Sequence, residues 1–168
     1  KKYIEILIAN SNKIIENKIK RFSEGLGYHF ITTKNELTKH YIDKINPSFI
    51  FFPHWSHIIP KEIFNAYNCI VFHMTDLPYG RGGSPLQNLI VRGYTHTKIS
   101  AIKVVEELDA GPIYLKKDLC LNGNAEEIFL RAGDRIIDMI KEILITEPLP
   151  RAQEGEVVKF KRRKPEMS

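Results

Sequence analysis

Residues 69–87 read CIVFHMTDLPYGRGGSPLQ, and the change of pattern within this stretch decides the fold. An apolar run with β-strand propensity, residues 69–72, leads into an ionisable residue, His73. A loop with Pro78 and three glycines follows, and Pro85 begins a helical pattern. Open α/β sheets present reactive side chains in this order, at the carboxyl ends of their strands. We therefore expect a functional site at this edge of a sheet.

The composition is that of an ordinary globular domain with a mild excess of positive charge. The 168 residues are enough to bury a core without disulfides or metals. Twenty-five Lys and Arg against 20 Asp and Glu give a formal charge of +5, which favours anionic partners such as a nucleotide, a folate tail or RNA. Much of the excess lies in residues 159–164 (KFKRRK), for which a solvated basic end is an equally good explanation.

Cysteine usage and hydropathy bear on the cellular compartment. Cys69 and Cys120 lie in apolar, strand-like runs without Cys-x-x-Cys spacing, so we interpret them as buried free thiols in a reducing compartment. The sequence has no run of eighteen apolar residues and no signal-peptide pattern, which predicts a cytoplasmic protein without a membrane anchor. No cluster has the spacing of a zinc site, and we expect no metal.

Apolar runs alternate with helical patterns along the chain, which predicts a doubly wound, Rossmann-like α/β fold. The sheet should be twisted and mostly parallel, with helices on both faces and right-handed crossovers. The predicted strands are residues 3–9, 28–32, 48–52, 69–72, 98 onward and 113–121. The predicted helices are residues 14–22, 35–45, 61–67, 85–93 and 125–144. Gly25 and Gly27 end the pattern of the first helix. Residues 1–150 should form the main domain, and residues 151–168 a basic tail or extension with at most one strand, at 156–160.

Two ionisable residues follow strands at positions suited to chemistry. His73 ends one strand, and Asp109 lies in a Leu-Asp-Ala-Gly-Pro turn after another. A histidine can shuttle protons near neutral pH, and a carboxylate beside it would hold the ring in place. The Gly82-Gly83 pair would let backbone amides approach a ligand, and Arg81 could pair with an anion. From composition alone, a structural histidine and an aspartate that orders its own turn explain the pattern at least as well.

The loop at residues 53–60, PHWSHIIP, places a tryptophan and two histidines after the third predicted strand. A binding site is one interpretation. A tryptophan that packs the loop onto the core, with His54 and His57 on the surface, is the simpler one.

The order of these segments resembles the formyltransferases that use N10-formyltetrahydrofolate. Residues 72–87 are similar to the His-x-Ser-x-Leu-Pro-x-x-Arg-Gly segment of that family, and residues 105–112 (VEELDAGP) to its Leu-Asp-x-Gly segment. Residues 51–60 are similar to the strand and loop that line the family's pterin pocket. The resemblance covers residues 48–144 and implies the formyltransferase fold, with N10-formyltetrahydrofolate as formyl donor.

Carried over residue by residue, the resemblance implies two catalytic residues and two sets of binding residues. His73 and Asp109 match the catalytic histidine and aspartate, which manage protons and stabilise a tetrahedral oxyanion while an amine attacks the formyl carbon. The donor would be bound by Trp55, Ser56, Ile58, Val105 and Glu107, and the acceptor by His54, Thr75, Arg81, Gly82 and Gly83.

One position departs from the family pattern. The family has an asparagine two residues before the histidine, and this chain has Val71 there. Valine has no hydrogen-bond donor, and the loss of one oxyanion donor costs about 10²–10³ in rate. Thr75, His54, His57 and a backbone amide of the Gly82-Gly83 loop are candidates for the missing donor.

The resemblance leaves several acceptors open. Residues 53–56, 81–85 and 153–166 look like the sugar N-formyltransferase branch, including the pseudaminic acid pathway, so we expect a nucleotide-linked amino sugar of bacterial surface glycans. Methionyl-tRNA and glycinamide ribonucleotide are the alternative acceptors, and a non-catalytic folate or nucleotide-sugar binding protein is the alternative class. We expect folate and the nucleotide sugar as partners, no nucleic acid and no membrane, with a homodimer as a candidate assembly.

Overall fold

A computed structural model describes residues 4–24 and 27–164, in which a six-stranded sheet carries helices on both faces. The strands are β1 (Ile6–Asn10), β2 (Tyr28–Ile31), β3 (Phe49–His54), β4 (Cys69–His73), β5 (Tyr79–Gly82), β6 (His96–Lys103), β7 (Ile113–Cys120) and β8 (Val158–Phe160). The helices are α1 (Lys13–Phe22), α2 (Lys39–Ile45), α3 (Lys61–Phe64), α4 (Pro85–Val91) and α5 (Ala125–Thr146), with a 3₁₀ turn at Lys34–Glu36. None of these helices is both long and apolar enough to cross a bilayer.

The main sheet has the strand order β2-β1-β3-β4-β6-β7, and β5 and β8 form a separate parallel pair. Strands β1 to β4 run parallel to one another, whereas β6 is antiparallel to β4 and β7 is antiparallel to β6. The prediction of a mostly parallel α/β sheet is confirmed. Because β6 is antiparallel to β4, His73 at the end of β4 pairs with Ser100 inside β6.

Residues 6–9 of strand β1 are all apolar, without the alternation of apolar and polar residues that is typical of a strand with one exposed face. Ile6 and Ile8 belong to the core under α1 and α5. Leu7 and Ala9 belong to the second core, under α2 and α3. A strand covered by helices on both faces needs apolar residues at every position.

Side-chain caps fix where the helices begin. The Asn12 side chain accepts hydrogen bonds from the amides of Ile14 and Ile15, at 2.9 and 3.2 Å, at the start of α1. Asn124 and Glu127 form a reciprocal capping box at the start of α5. Both caps satisfy amides that have no partner within their own helix.

Three predicted elements differ from the structure. The helix at 35–45 is divided into the 3₁₀ turn and α2, because the Thr38 hydroxyl accepts from the amide of Tyr41 and begins a new helix there. The strand predicted from residue 98 onward is β6, which begins at His96 and ends at Lys103. The predicted loop after His73 contains β5, which pairs with β8. The predictions at Tyr3, Gly25 and residues 165–168 lie outside the described residues.

The two cysteines are free but differ in environment. Cys69 is buried in β4, and Cys120 is half-buried at the end of β7. Burial raises the pKa of the Cys69 thiol to about 12. The folded chain should therefore react with a thiol reagent at Cys120 well before Cys69, since alkylation requires the thiolate. Mass spectrometry of peptides after brief treatment with iodoacetamide tests this. Equal labelling of both cysteines in the folded protein would contradict it.

Candidate active site

The buried imidazole of His73 is held by the loop that follows it. Its Nε2 lies 2.7 Å from the carbonyl oxygen of Gly80. A carbonyl only accepts hydrogen bonds, so Nε2 carries the proton in this contact. The other nitrogen, Nδ1, lies 3.7 Å from Oδ1 of Asp109. The structure therefore brings together the two residues predicted to be catalytic.

Asp109 is positioned by a second contact from the same loop. Its Oδ2 accepts a hydrogen bond from the amide of Gly82, at 2.9 Å. Its backbone is left-handed, with φ 55°, an arrangement that a residue with a side chain adopts only when its surroundings enforce it. Two residues further on, a side chain at Gly111 would run into the carbonyl of Lys103. This close approach explains the glycine in the Leu-Asp-Ala-Gly segment.

The chain between β6 and Asp109 runs along one face of β4. The amide of Val104 donates to the carbonyl of Cys69, at 2.9 Å, where β4 begins. Asp109 contacts His73, where β4 ends. Val71 lies between them on the same face, because side chains two residues apart point to the same side of a strand. The departure from the family pattern thus lies beside the histidine, half-buried and packed against the second core.

Two of the predicted replacement donors already have partners. The Thr75 hydroxyl, fully buried, donates to the carbonyl of Gly80 at 3.3 Å. The Gly82 amide donates to Asp109. His54, His57 and the amide of Gly83 remain as candidates.

Arg81, predicted to bind an anion of the acceptor, has internal partners. Its Nε and Nη2 donate to Oε1 of Gln153 at 3.1 and 2.8 Å. Its Nη1 lies 3.6 Å from a carboxylate oxygen of Glu107, and its side chain is 12% exposed. A bound anion would have to share the guanidinium with these groups.

The residues predicted to bind the donor lie on two neighbouring segments. Ile58, on the loop after β3, is 90% exposed, and Leu108, next to Asp109, is 71% exposed. Lys61 and Glu106 form an ion pair at 3.5 Å that connects the two segments. Ser56 contacts the loop after β1, with its amide 3.0 Å from Oγ of Ser11. Val105 is half-buried, and Glu107 is exposed apart from its contact with Arg81.

The packing of the loop after β3 agrees in part with the simpler interpretation, in which Trp55 packs the loop onto the core and both histidines lie on the surface. Trp55 is half-buried with its ring edge-to-face on Phe52, 5.9 Å between centroids. His57 is exposed, but His54 is half-buried against the ring of Phe129, so the prediction that both histidines lie on the surface is wrong for His54. Burial lowers the pKa of His54.

A polar hollow of about 420 Å³ borders this loop at the carboxyl ends of β1, β2 and β3. Its lining includes hydroxyl groups and one cation, from Ser11, Thr32, Thr33, Ser56 and Lys34. Another depression, of about 370 Å³, lies at the opposite edge of the sheet, near Ser48 and Asn68, where β3 and β4 begin. Only the first is at the edge where the chemistry was predicted. Within the described residues, no group of three or more His, Cys, Asp or Glu side chains could hold a metal.

Sequence reasoning missed two buried polar residues that hold the loop. The Ser100 hydroxyl donates to the carbonyl of Thr75 at 2.8 Å and accepts from the amide of Leu77 at 3.4 Å. The Asn88 side-chain amide donates to the carbonyls of Gly83, Ser84 and Lys161. A single polar residue in an otherwise apolar segment, such as Ser100 in ISAI (residues 99–102), is the signal that could have found them.

These features bring a buried histidine and an aspartate together at the edge of an α/β sheet, and comparison with known proteins identifies the family of the chain. The chain belongs to the formyl transferase family, whose model matches residues 2–136. A solved methionyl-tRNA formyltransferase from Clostridium thermocellum is 53% identical, with a TM-score of 0.94, over 98% of this chain and 74% of that chain. The predicted family and fold are thereby confirmed.

The curated relatives are longer than this chain. A methionyl-tRNA formyltransferase of Carboxydothermus hydrogenoformans is 30% identical over 151 residues, which are 88% of this chain and 48% of the relative. The chain thus spans less than half the length of that relative. A sugar N-formyltransferase from Shewanella sp FDAARGOS_354 shares only the fold, at 17% identity and a TM-score of 0.70 over 94% of this chain and 76% of that chain.

The predicted amino-sugar acceptor is therefore wrong, and so is the assignment to the sugar branch. The relatives of high similarity are methionyl-tRNA formyltransferases, and they do not support a nucleotide-sugar partner. The structure gives a physical reason. Arg81 and Gln153, taken as marks of the sugar branch, bind each other and hold the loop, so their presence reflects the fold of the site and carries no information on the acceptor.

The half-buried His54 should make the stability of the fold depend on pH. Because its pKa is lower in the folded chain than in the unfolded one, the unfolded state binds more protons as pH falls. The contribution of the neutral His54 to the free energy of unfolding should be complete above the ordinary histidine pKa, and it should decline as the pH falls below that value. Urea unfolding at pH 7.5 and pH 5 should show a smaller decline for His54→Gln than for the unmodified chain. His40→Gln, at an exposed position of α2, is the control for loss of an imidazole. An unchanged decline in His54→Gln would contradict the assignment.

Proposed function

We propose that this chain transfers the formyl group of N10-formyltetrahydrofolate to the amino group of methionyl-tRNA. The observation that carries the proposal is the 53% identity to a methionyl-tRNA formyltransferase over 98% of the chain, a span that includes His73 and Asp109. The contact between these two side chains, at 3.7 Å, supports an active enzyme, because a binding protein needs no such pair.

The site residues suit acyl transfer to an amine. The amine attacks the formyl carbon and forms a C–N bond, which gives a tetrahedral oxyanion, and the amine nitrogen loses a proton. The oxyanion then collapses as the bond between the formyl carbon and N10 of the folate breaks, and N10 takes up a proton and leaves as part of tetrahydrofolate. Because Nε2 of the neutral His73 ring already donates to Gly80, Nδ1 is the ring nitrogen that can take up the proton of the amine. The carboxylate of Asp109 stabilises the positive charge of the ring when it takes up the amine proton.

The two segments joined by the Lys61–Glu106 ion pair have surfaces suited to binding the folate. Ile58 and Leu108 expose large apolar side chains there, which the flat ring system of a pterin would cover. The folate supplies an activated one-carbon acyl group when bound. Trp55, Ser56, Val105 and Glu107 belong to the same two segments and complete the proposed donor site.

The C-terminal segment, residues 151–164, supports an RNA acceptor. Lys159, Lys161, Arg162 and Lys164 are exposed. The amide of Arg163 donates to the Ser84 hydroxyl, at 3.1 Å. These cations therefore lie beside residues 74–84, which follow β4 and contain Gly80, Gly82 and Gly83, and which we call the glycine loop. Exposed Lys and Arg side chains next to a reactive centre attract the phosphates of a nucleic acid.

The proposal is tested by incubating the chain with N10-formyltetrahydrofolate and methionyl-tRNA and measuring formylmethionine released from the RNA. We expect transfer, and we expect His73→Gln and Asp109→Asn each to lower kcat by about 10²–10⁴, the range for loss of a positioned acid or base. Both variants should still bind a folate analogue in calorimetry. His40→Gln is the matched control and should keep full activity.

The alternative function is a non-catalytic folate-binding relative, which Val71 favours because the family's donor is missing there. Binding of the folate analogue without any formylation of methionyl-tRNA would overturn the proposal in favour of this alternative. Failure to bind the analogue would overturn both.

Val71→Asn tests whether another group already supplies the missing donor. If one does, a second donor adds little, and we expect kcat to change by less than about tenfold, against about 10²–10³ for a donor that is truly absent. Single-turnover formylation rates with saturating donor measure the effect. An increase of two orders of magnitude would show that the unmodified site lacks the donor.

A further inference from the structure

We propose that Gln153, in the C-terminal segment, is a positioning residue that sets the geometry of His73 and Asp109. This inference rests on the proposed function. The side-chain Nε2 of Gln153 donates to the carbonyls of Asp109 and Gly111, at 2.8 and 2.9 Å. Its Oε1 accepts from Nε and Nη2 of Arg81, at 3.1 and 2.8 Å. One amide thus uses both donor hydrogens and both acceptor positions.

The donor half of this amide holds the turn that presents Asp109. A left-handed backbone is uncommon for a residue with a side chain, and it persists only when neighbouring contacts enforce it. The Gln153 side chain binds the carbonyls on both sides of Ala110, so the backbone at φ 55° is fixed at Asp109 itself and two residues beyond. The carboxylate is then fixed at its far end by the amide of Gly82.

The acceptor half holds the loop that presents His73. Arg81 lies between Gly80, whose carbonyl accepts from the His73 ring, and Gly82, whose amide donates to Asp109. An oxygen that fixes Arg81 therefore fixes both backbone groups. Through one side chain, Gln153 connects the segment of the histidine to the segment of the aspartate.

The backbone near Gln153 is itself tied to the rest of the fold. Arg151 and Ile113 exchange two backbone hydrogen bonds, at 2.7 and 2.9 Å. On the other side, the amide of Val158 donates to the carbonyl of Pro78, at 3.2 Å, and β8 pairs with β5. Gln153 thus extends from a segment that is anchored before and after it, as a positioning role requires.

Two substitutions separate the halves of the amide. Gln153→Met keeps the length of the side chain and removes all four hydrogen bonds. Gln153→Glu keeps the acceptor for Arg81 but removes both donors and places a carboxylate against the carbonyls of Asp109 and Gly111. Gln87→Met, at an exposed position of α4, is the matched control.

The formylation assay with methionyl-tRNA should show a loss in kcat and little change in KM for the folate. We expect kcat to fall by about 10–10² in Gln153→Met, because a displacement near 1 Å costs up to 10²-fold. We expect at least the same loss of kcat in Gln153→Glu, because this substitution removes both donors that bind the Asp109 turn. Thermal unfolding should show both variants folded. A merely structural role would lower stability without this selective loss of kcat.

A second readout does not depend on turnover. In protein labelled with ¹⁵N-histidine, the Nε2–H signal of His73 reports its hydrogen bond to Gly80. The signal should shift in both Gln153 variants and not in Gln87→Met. Unchanged kcat in Gln153→Met, or an unchanged ring signal in either variant, would overturn the inference while leaving the proposed function intact. No formylation by the unmodified chain would overturn the proposed function, and the ring signal would still decide whether Gln153 positions His73.

Discussion

The hydrogen bond from the Gly82 amide to the Asp109 carboxylate is the contact on which the site depends. It joins two segments that are distant in the chain: the loop after β4 and the turn between β6 and β7. Without it, the carboxylate of Asp109 would have no fixed place beside the His73 ring. The geometry of the histidine and the aspartate is therefore a property of the backbone of the glycine loop, and the residues that hold this loop matter as much as the pair itself.

The reversal of strand direction after β4 makes this contact available. A parallel strand at that position would leave the sheet at the edge where His73 lies. Strand β6 instead runs from that edge to the other, and the following segment returns across the face of β4 from Cys69 towards His73. This return path covers Val71 and delivers Asp109 to the ring from the side. Gly111 is needed on this path because the backbone passes directly against the Lys103 carbonyl.

Local patterns in the sequence predicted the main elements, because periodicity, caps and glycines act over a few residues. The apolar runs of β1, β3 and β4 and the stripe of α5 all lie close to their predicted positions. Strand β5 was missed because its glycines predict a loop and its pairing depends on β8, near the other end of the chain. Arg81 was expected to face a ligand for the same reason: only the fold shows that Gln153 is its partner. The roles of the predicted site residues remain predictions, although the structure brings His73 and Asp109 together.

The choice of acceptor is the part that motifs could not determine, and the structure shows why. A motif shared by two branches of a family is retained when it builds the common chemistry, whatever molecule receives the formyl group. Arg81, Gly82 and Gln153 belong to this common part, since each contacts the loop or turn that holds His73 or Asp109. Acceptor recognition must instead come from surfaces that differ in charge and shape around the same centre. The surface that we propose for this role is the set of exposed cations in the C-terminal segment, because their side chains face solvent while their backbone holds the glycine loop. In this proposal, one short segment holds the site through its backbone and Gln153, and contacts the acceptor through the side chains that it exposes.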